Sequence, residues 1–156
     1  MTQLQPRKLK INKNFKPLSK DEEDEFYPNG IFEFNITKLL MFIKANPCMF
    51  QPEEVSVRVV RTFPSSNLNE STIQTANIAE PIVLAEIAPD RFNVIDGNHR
   101  LEKAYRDGES KIHAYRVLAE QNVAFLTSVT AYESYIEYWN SKIWEMRSSG
   151  TMRAVG

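Results

Sequence analysis

One cysteine, Cys48, and two histidines, His99 and His113, are all that this 156-residue chain offers as thiol or imidazole ligands. They cannot build a Cys/His zinc site or an intrachain disulfide, so disulfide-rich secreted folds are excluded and a reducing, cytoplasmic setting is expected. An excess of one charge is also missing, since 19 basic side chains face 20 acidic ones. Without a global positive field, phosphate backbones are not concentrated by counterion release. The charge balance therefore does not support DNA as a partner, and any nucleic-acid binding must be local. Long apolar runs are absent as well. Stretches such as Leu39 to Ile43 fall far short of the roughly 18 residues that span a bilayer, so no membrane partner is expected. The first residues are charged and lack an apolar segment, and no signal peptide is read there.

What is present, 42% hydrophobic and 25% charged residues, is the composition of one ordinary soluble domain. At this length folding removes about 68 to 70% of the chain's surface from water, so a hydrophobic core alone can hold the fold. Six basic residues and no acid lie between Arg7 and Lys20, and Asp21, Glu22, Glu23, Asp24 and Glu25 then form an unbroken acidic run. Like charges repel and apolar residues are sparse there, so residues 1–26 are expected to be a mobile charged arm. A single domain is expected over 27–147, entered by a turn at Tyr27, Pro28, Asn29 and Gly30, with a frayed tail over 148–156.

Within that domain, Asn35 is placed to cap a helix carrying Ile36, Leu39, Leu40 and Ile43, with Asn46 and Pro47 as its stop. The alternation of Val55, Val57 and Val59 predicts a half-buried strand over 54–61. Turn residues from Pro64 to Asn67 precede a short helix over about 69–78, capped by Asn69. The apolar run 82–87 reads as a strand buried on both faces, and Pro89 with Asp90 turns it into a second strand, 91–95. A helix through Leu101, Ala104 and Tyr105 ends near Gly108, and another strand covers 111–118. Thr130 and Glu133 have capping-box spacing, and Tyr132, Tyr135, Ile136, Trp139 and Ile143 form the stripe of a long last helix. That stripe reads as core, because a base-stacking platform needs exposed rings beside positive charge. Cys48, in an apolar turn beside Pro47, reads as a small buried hydrophobe. The fold class is mixed α/β: a mixed sheet with flanking helices and a long C-terminal helix.

The segment that carries chemistry is Asp96, Gly97, Asn98, His99 and Arg100, between a strand and a helix. Gly97 permits a sharp turn, the first amides of the helix point outward, and the helix dipole favours an anion. His99 and Arg100 add donors, the latter with a fork that matches phosphate oxygens. On spacing alone a plainer reading stands beside this one, in which Asp96 caps the helix, Arg100 pairs with a carboxylate and His99 is an ordinary hydrogen-bonded residue.

The run Asn93, Val94, Ile95, Asp96, Gly97, Asn98, His99, Arg100, Leu101, Ala104 and Gly108, preceded by Glu80, Pro81, Ile82 and Val83, resembles the ParB/sulfiredoxin-like superfamily. In that family a strand opening with Pro-Ile-x-Val, a strand with D-G-x-H-R, a helix and a glycine follow in this order. The resemblance covers about 50 residues, roughly from the helix before Glu80 to Leu118, and implies that family's small α/β fold. It also implies that a nucleotide (ATP, ADP or CTP) is held with magnesium. Gly97, Asn98, His99 and Arg100 then fall at the phosphate, and Asp96 is the acid that free serine kinases place before the glycine, a candidate for holding magnesium. Ser71 and Thr75 stand four apart, as do two phosphate-contacting hydroxyl residues of sulfiredoxins, although Leu68 replaces the family's lysine; their plainer reading is as polar residues of an exposed helix face.

Departures from the pattern narrow the activity. Asn98 stands where sulfiredoxins carry their nucleophilic cysteine, so sulfinic-acid reduction lacks its thiol. The ParB pattern has Glu and Arg where Asn98 and His99 stand, and nothing after Leu118 has the length or charge for helix-turn-helix DNA binding. The loop is closest to the free serine kinase type. Two functional expectations follow: a magnesium-dependent phosphotransferase acting on a small hydroxyl substrate, with Glu70, Asp96 and His99 as catalytic candidates and Glu70 as base, or a non-catalytic nucleotide-sensing or DNA-partition-associated module. The plainer role of Glu70 is to stabilise the start of its helix.

Overall fold

The structure, a computed structural model, describes residues 6–30, 32–62 and 65–149. Its centre is a four-stranded mixed sheet in the order β3-β6-β4-β5, formed by β3 (Glu53–Ser56), β4 (Ile82–Ala88), β5 (Arg91–Asp96) and β6 (Lys111–Val117). β4 and β6 run parallel side by side, while β5 and β3 flank them antiparallel. The near-continuous apolar run of β4 follows from its place, because both faces of the sheet are covered. Val83, Ala85 and Ile87 face one core with Ile95 and Val117, whereas Ile82 and Leu84 face the other with Val94, Ile112 and Ala114.

The first face is closed by α1 (Ile36–Ala45), by α6 (Val129–Ser148), and by a hairpin of β1 (Phe26–Asn29) and β2 (Phe32–Asn35). Asn35 caps α1 as its spacing predicts, accepting from the Lys38 amide at 3.0 Å. The stripe Tyr132, Tyr135, Ile136, Trp139 and Ile143 is buried in this core. α6 is capped by Ser128, which accepts from the Ala131 amide, and not by the Thr130 and Glu133 pair, which lie inside the helix. The second face is covered by α2 (Val57–Val60) and α4 (Asn98–Arg106), with Leu101 and Ala104 of α4 packed on the sheet, and α3 (Glu70–Thr75) packs on α4. A short helix, α5 (Ala119–Asn122), follows β6. Among the described residues no helix is long and apolar enough to cross a membrane.

Several local expectations are corrected. The strand expected over 54–61 ends at Ser56, whose hydroxyl caps α2; Val57 is buried while Val59 is 76% exposed, so the alternation breaks where the helix starts. The presumed entry turn at Tyr27 to Gly30 is instead strand β1, and only Gly30, at φ +67°, has turn geometry. The helix expected over 69–78 is the shorter α3, with Asn69 as its cap. Cys48 is exposed, not buried. Ser148, expected to start a frayed tail, is still in α6; residues 150–156 of that tail, like Pro64, lie outside the described residues.

The largest correction concerns the expected arm. Residues 7–15 are laid along α6, antiparallel to it: the Leu9 amide donates to Asn140 Oδ1 at 2.8 Å and Asn140 Nδ2 donates to the Leu9 carbonyl at 3.0 Å. Trp139 Nε1 donates to the Arg7 carbonyl and the Asn12 amide donates to the Tyr132 hydroxyl. Phe15 stacks on Tyr132 with centroids 3.9 Å apart, and Leu9 packs on the same core. Two apolar side chains and four hydrogen bonds outweigh the like-charge repulsion, which is weak between solvated lysines at physiological salt. This segment is a strap, and it continues into the acidic run, where Asp21 pairs with Lys38 and Asp24 accepts from Asn35 Nδ2.

Candidate functional site

Asp96 is the last residue of β5 and Asn98 the first of α4, so the whole reversal falls on Gly97. Its φ of +98° is left-handed backbone, and a Cβ there would lie 2.6 Å from Ile82 Cγ2 and 2.8 Å from Arg100 Nη2. Conformation and close approach both demand glycine. Gly97 occupies the N-cap position of α4, and no side chain caps that helix. The Leu101 amide bonds the Gly97 carbonyl, which leaves the amides of Asn98, His99 and Arg100 with no partner inside the helix. The expectation that Asp96 could cap the helix is not met, since its carboxylate turns to Arg100.

The start of α4 lines a cleft of about 280 Å³, with Asp96, Gly97, Asn98 and His99 together with Glu25, Phe26, Tyr27, Ile36, Asn67, Leu68 and Ile95 on its walls. Such a volume is near the lower end of small-ligand pockets. β1 contributes one wall because it packs beside β5, and the approach to α3 contributes Asn67 and Leu68. His99 Nε2 accepts from the Asn69 amide at 3.2 Å. A neutral His99 therefore carries its proton on Nδ1.

Arg100 is directed inward. Its Nη2 donates to the Asp96 carboxylate and to the Pro81 carbonyl, both at 3.1 Å, while Nη1 lies 3.8 Å from Glu80. Its Nε is buried with no acceptor among the described residues. Arg100 thus braces the loop against the start of β4, as in the plainer reading, and the pair partly neutralises Asp96 where it lines the cleft.

Glu70, Ser71 and Thr75 are not brought to the cleft. Glu70 accepts from Arg106 Nη1 at 2.7 Å and Nη2 at 3.0 Å, and this bidentate contact holds its carboxyl below the ordinary range. Ser71 donates to Asn69 Oδ1 and Thr75 to the Ser71 carbonyl, both within the short α3 helix and its cap. Of the expected residues, the structure gathers Asp96, Gly97, Asn98 and His99 on the cleft wall, with Arg100 behind them. Sequence reasoning missed Glu25, Phe26 and Tyr27, because Glu25 and Phe26 signalled only the end of a charged arm and Tyr27 only an entry turn.

Among the described residues no three His, Cys, Asp or Glu side chains gather in a metal-binding group. Magnesium commonly takes only one or two carboxylates and completes its shell with phosphate oxygens and water. Asp96, whose side chain is partly exposed on the cleft wall while one oxygen pairs with Arg100, fits that role; Glu25 is the other carboxylate on the cleft wall.

In comparison with known proteins, no family model, no curated protein and no solved structure matches this chain.

Proposed function

We propose that this protein is a nucleotide-binding domain of the ParB/sulfiredoxin-like type, holding the phosphates of ATP, ADP or CTP at the start of α4. The observation that carries the reading is an α4 start with no side-chain cap that lines the cleft at a glycine that tolerates no side chain. His99 adds an Nδ1 donor on the same wall, and the apolar faces of Ile36, Leu68 and Ile95 suit a ring. Magnesium, where bound, would neutralise phosphate charge beside Asp96. This chain's own part is to present amides to the phosphates and to keep Asp96 oriented through Arg100.

Transfer of a phosphoryl group to a small hydroxyl acceptor is one form of this reading, with Asp96 as the acid at the cleft. The non-catalytic, nucleotide-sensing form is favoured by the Glu70 and Arg106 pair, which holds the expected base ionised but turned away from the cleft. A thermal-shift titration with ATP, ADP and CTP, with and without magnesium, tests the common core. Binding raises the midpoint with ligand concentration, and His99→Ala should weaken the response about tenfold. No shift with any nucleotide at millimolar concentration would remove the proposal. Single-turnover release of labelled phosphate separates the two forms.

A further inference from the structure

We infer that the strap over residues 7–20 is a docking surface for single-stranded nucleic acid, bound through its phosphates without sequence preference. The strap carries Arg7, Lys8, Lys10, Lys13, Lys16 and Lys20, all exposed. None of the six forms an ion pair with a carboxylate among the described residues; Lys20 instead lies over the ring of Phe26. Of the adjoining acids, Asp21 and Asp24 turn to Lys38 and Asn35, and Glu22, Glu23 and Glu25 form no ion pair with the six cations among the described residues. Glu133 and Glu137, exposed on α6, form no pair with the strap either.

The position of these cations separates them from an ordinary solvated run. Leu9 and Phe15 face the core, and the backbone of Arg7, Leu9 and Asn12 is hydrogen-bonded to α6. Lys8 and Lys10, which flank the inward Leu9, are therefore turned outward on an ordered path, and the chain turns at Lys13 and Asn14 before Phe15 returns to the core. A chain already fixed loses less entropy on binding a polyanion than a free tail does.

A second feature points to single strands over duplex. Trp144 is the most exposed aromatic ring among the described residues, at 64%. It sits one turn beyond Asn140 on α6, the residue that holds Leu9, so it lies on the strap's side of the helix, toward the Arg7 end. An exposed indole at the end of a row of cations is the combination that tracks a single strand, with phosphates on the cations and an unstacked base on the ring. The inference is independent of the nucleotide cleft.

Fluorescence anisotropy of a labelled oligothymidylate of about 20 nucleotides, titrated with the full chain from about 50 to 200 mM salt, tests it. Saturable binding is expected, with log K falling by about 0.7 per decade-unit of log salt for each phosphate contacted. The exposed quadruple substitution Lys8→Glu, Lys10→Glu, Lys13→Glu and Lys16→Glu should weaken binding at least about tenfold and flatten the salt slope. Trp144→Ala should weaken it by about fivefold or more with the slope unchanged. Absence of saturable binding at low salt, or equal affinity of the charge-reversed protein, overturns the inference. Tighter binding of a duplex of the same length, with Trp144→Ala neutral, overturns the single-strand assignment. Circular dichroism of each variant confirms the retained fold, and the tryptophan variant leaves the strap untouched.

Discussion

The two ends of α4 are built to opposite standards. At its start the amides are uncapped, Gly97 supplies no side chain, and the cleft is open. Over its second half every charged side chain is tied to another element. Glu102, 3% exposed, accepts from Arg61 Nε at 2.7 Å and from Arg106 Nε at 2.9 Å, and Arg106 also clasps Glu70. Lys103 donates to the carbonyls of Gln74 and Ala76 at the end of α3, while Tyr105 lies under the Arg61 guanidinium. The contrast teaches where to look for chemistry on a helix that is charged throughout. Paired residues fasten α2 and α3 to α4, and the amides without a helical partner gather at the other end. Glu70, an attractive base by sequence, belongs to the fastened end.

The change that should disturb this contrast most is Gly97→Ala. Left-handed backbone and a collision with Ile82 together cost about 2 to 4 kcal/mol, measured by urea unfolding. A fully stable variant would show that the turn is not held as tightly as its geometry indicates. Next comes Glu102→Ala, expected to cost about 2 to 3 kcal/mol. This is less than for a fully buried pair, because Arg61 and Arg106 keep some contact with water. The arginine hydrogen bonds hold the Glu102 carboxyl below its ordinary value against the opposing effect of burial. The unfolded chain therefore takes up the proton first as pH falls. Glu102's contribution is fully present above about pH 4.3 and is lost as pH drops through the depressed native value. Glu102→Gln should flatten the stability profile in that acid range; an unchanged profile would place the acid sensitivity elsewhere.

Lys103→Met should cost about 1 kcal/mol by removing the donor that closes the last carbonyls of α3. Chemical denaturation reads this directly, and a null result would mean water replaces the ammonium freely. The smallest effect is expected from Glu70→Gln, whose partner remains paired to Glu102. Its melting temperature should fall less than that of Glu102→Ala, and its response to nucleotide should match that of the parent protein. A lost nucleotide response would return Glu70 to the site.

Much of this fold is legible along the chain. The β4 run is apolar at successive positions because helices cover both faces of the sheet, and the stripe on α6 repeats because one face of that helix is buried. The turn at Gly97 announces itself by residue type. Ser56 is harder to read, since a serine in an alternating stretch fits a strand as well as a cap, and the choice is made by the burial of Val57. The strap is not legible at all. Leu9 and Phe15 are too few for a period, and their partners Asn140 and Tyr132 stand more than a hundred residues away. The cleft is half legible for the same reason: Asp96 to His99 form one local motif, whereas Glu25 to Tyr27 reach it only through the packing of β1 beside β5.

The pairing of Leu9 with Asn140 spans 131 residues of chain. Closing so long a loop has an entropic cost that local contacts do not share, so the strap can dock only after α6 has settled on the sheet. Opening should run in the reverse order. The amides of Leu9 and Asn12 then exchange their hydrogens by local release of the strap, at a free energy below that of global unfolding, while the β4 amides exchange only when the whole molecule opens. The protein thereby acquires two thresholds of stability, an outer one for the strap over residues 7–15 and an inner one for the sheet.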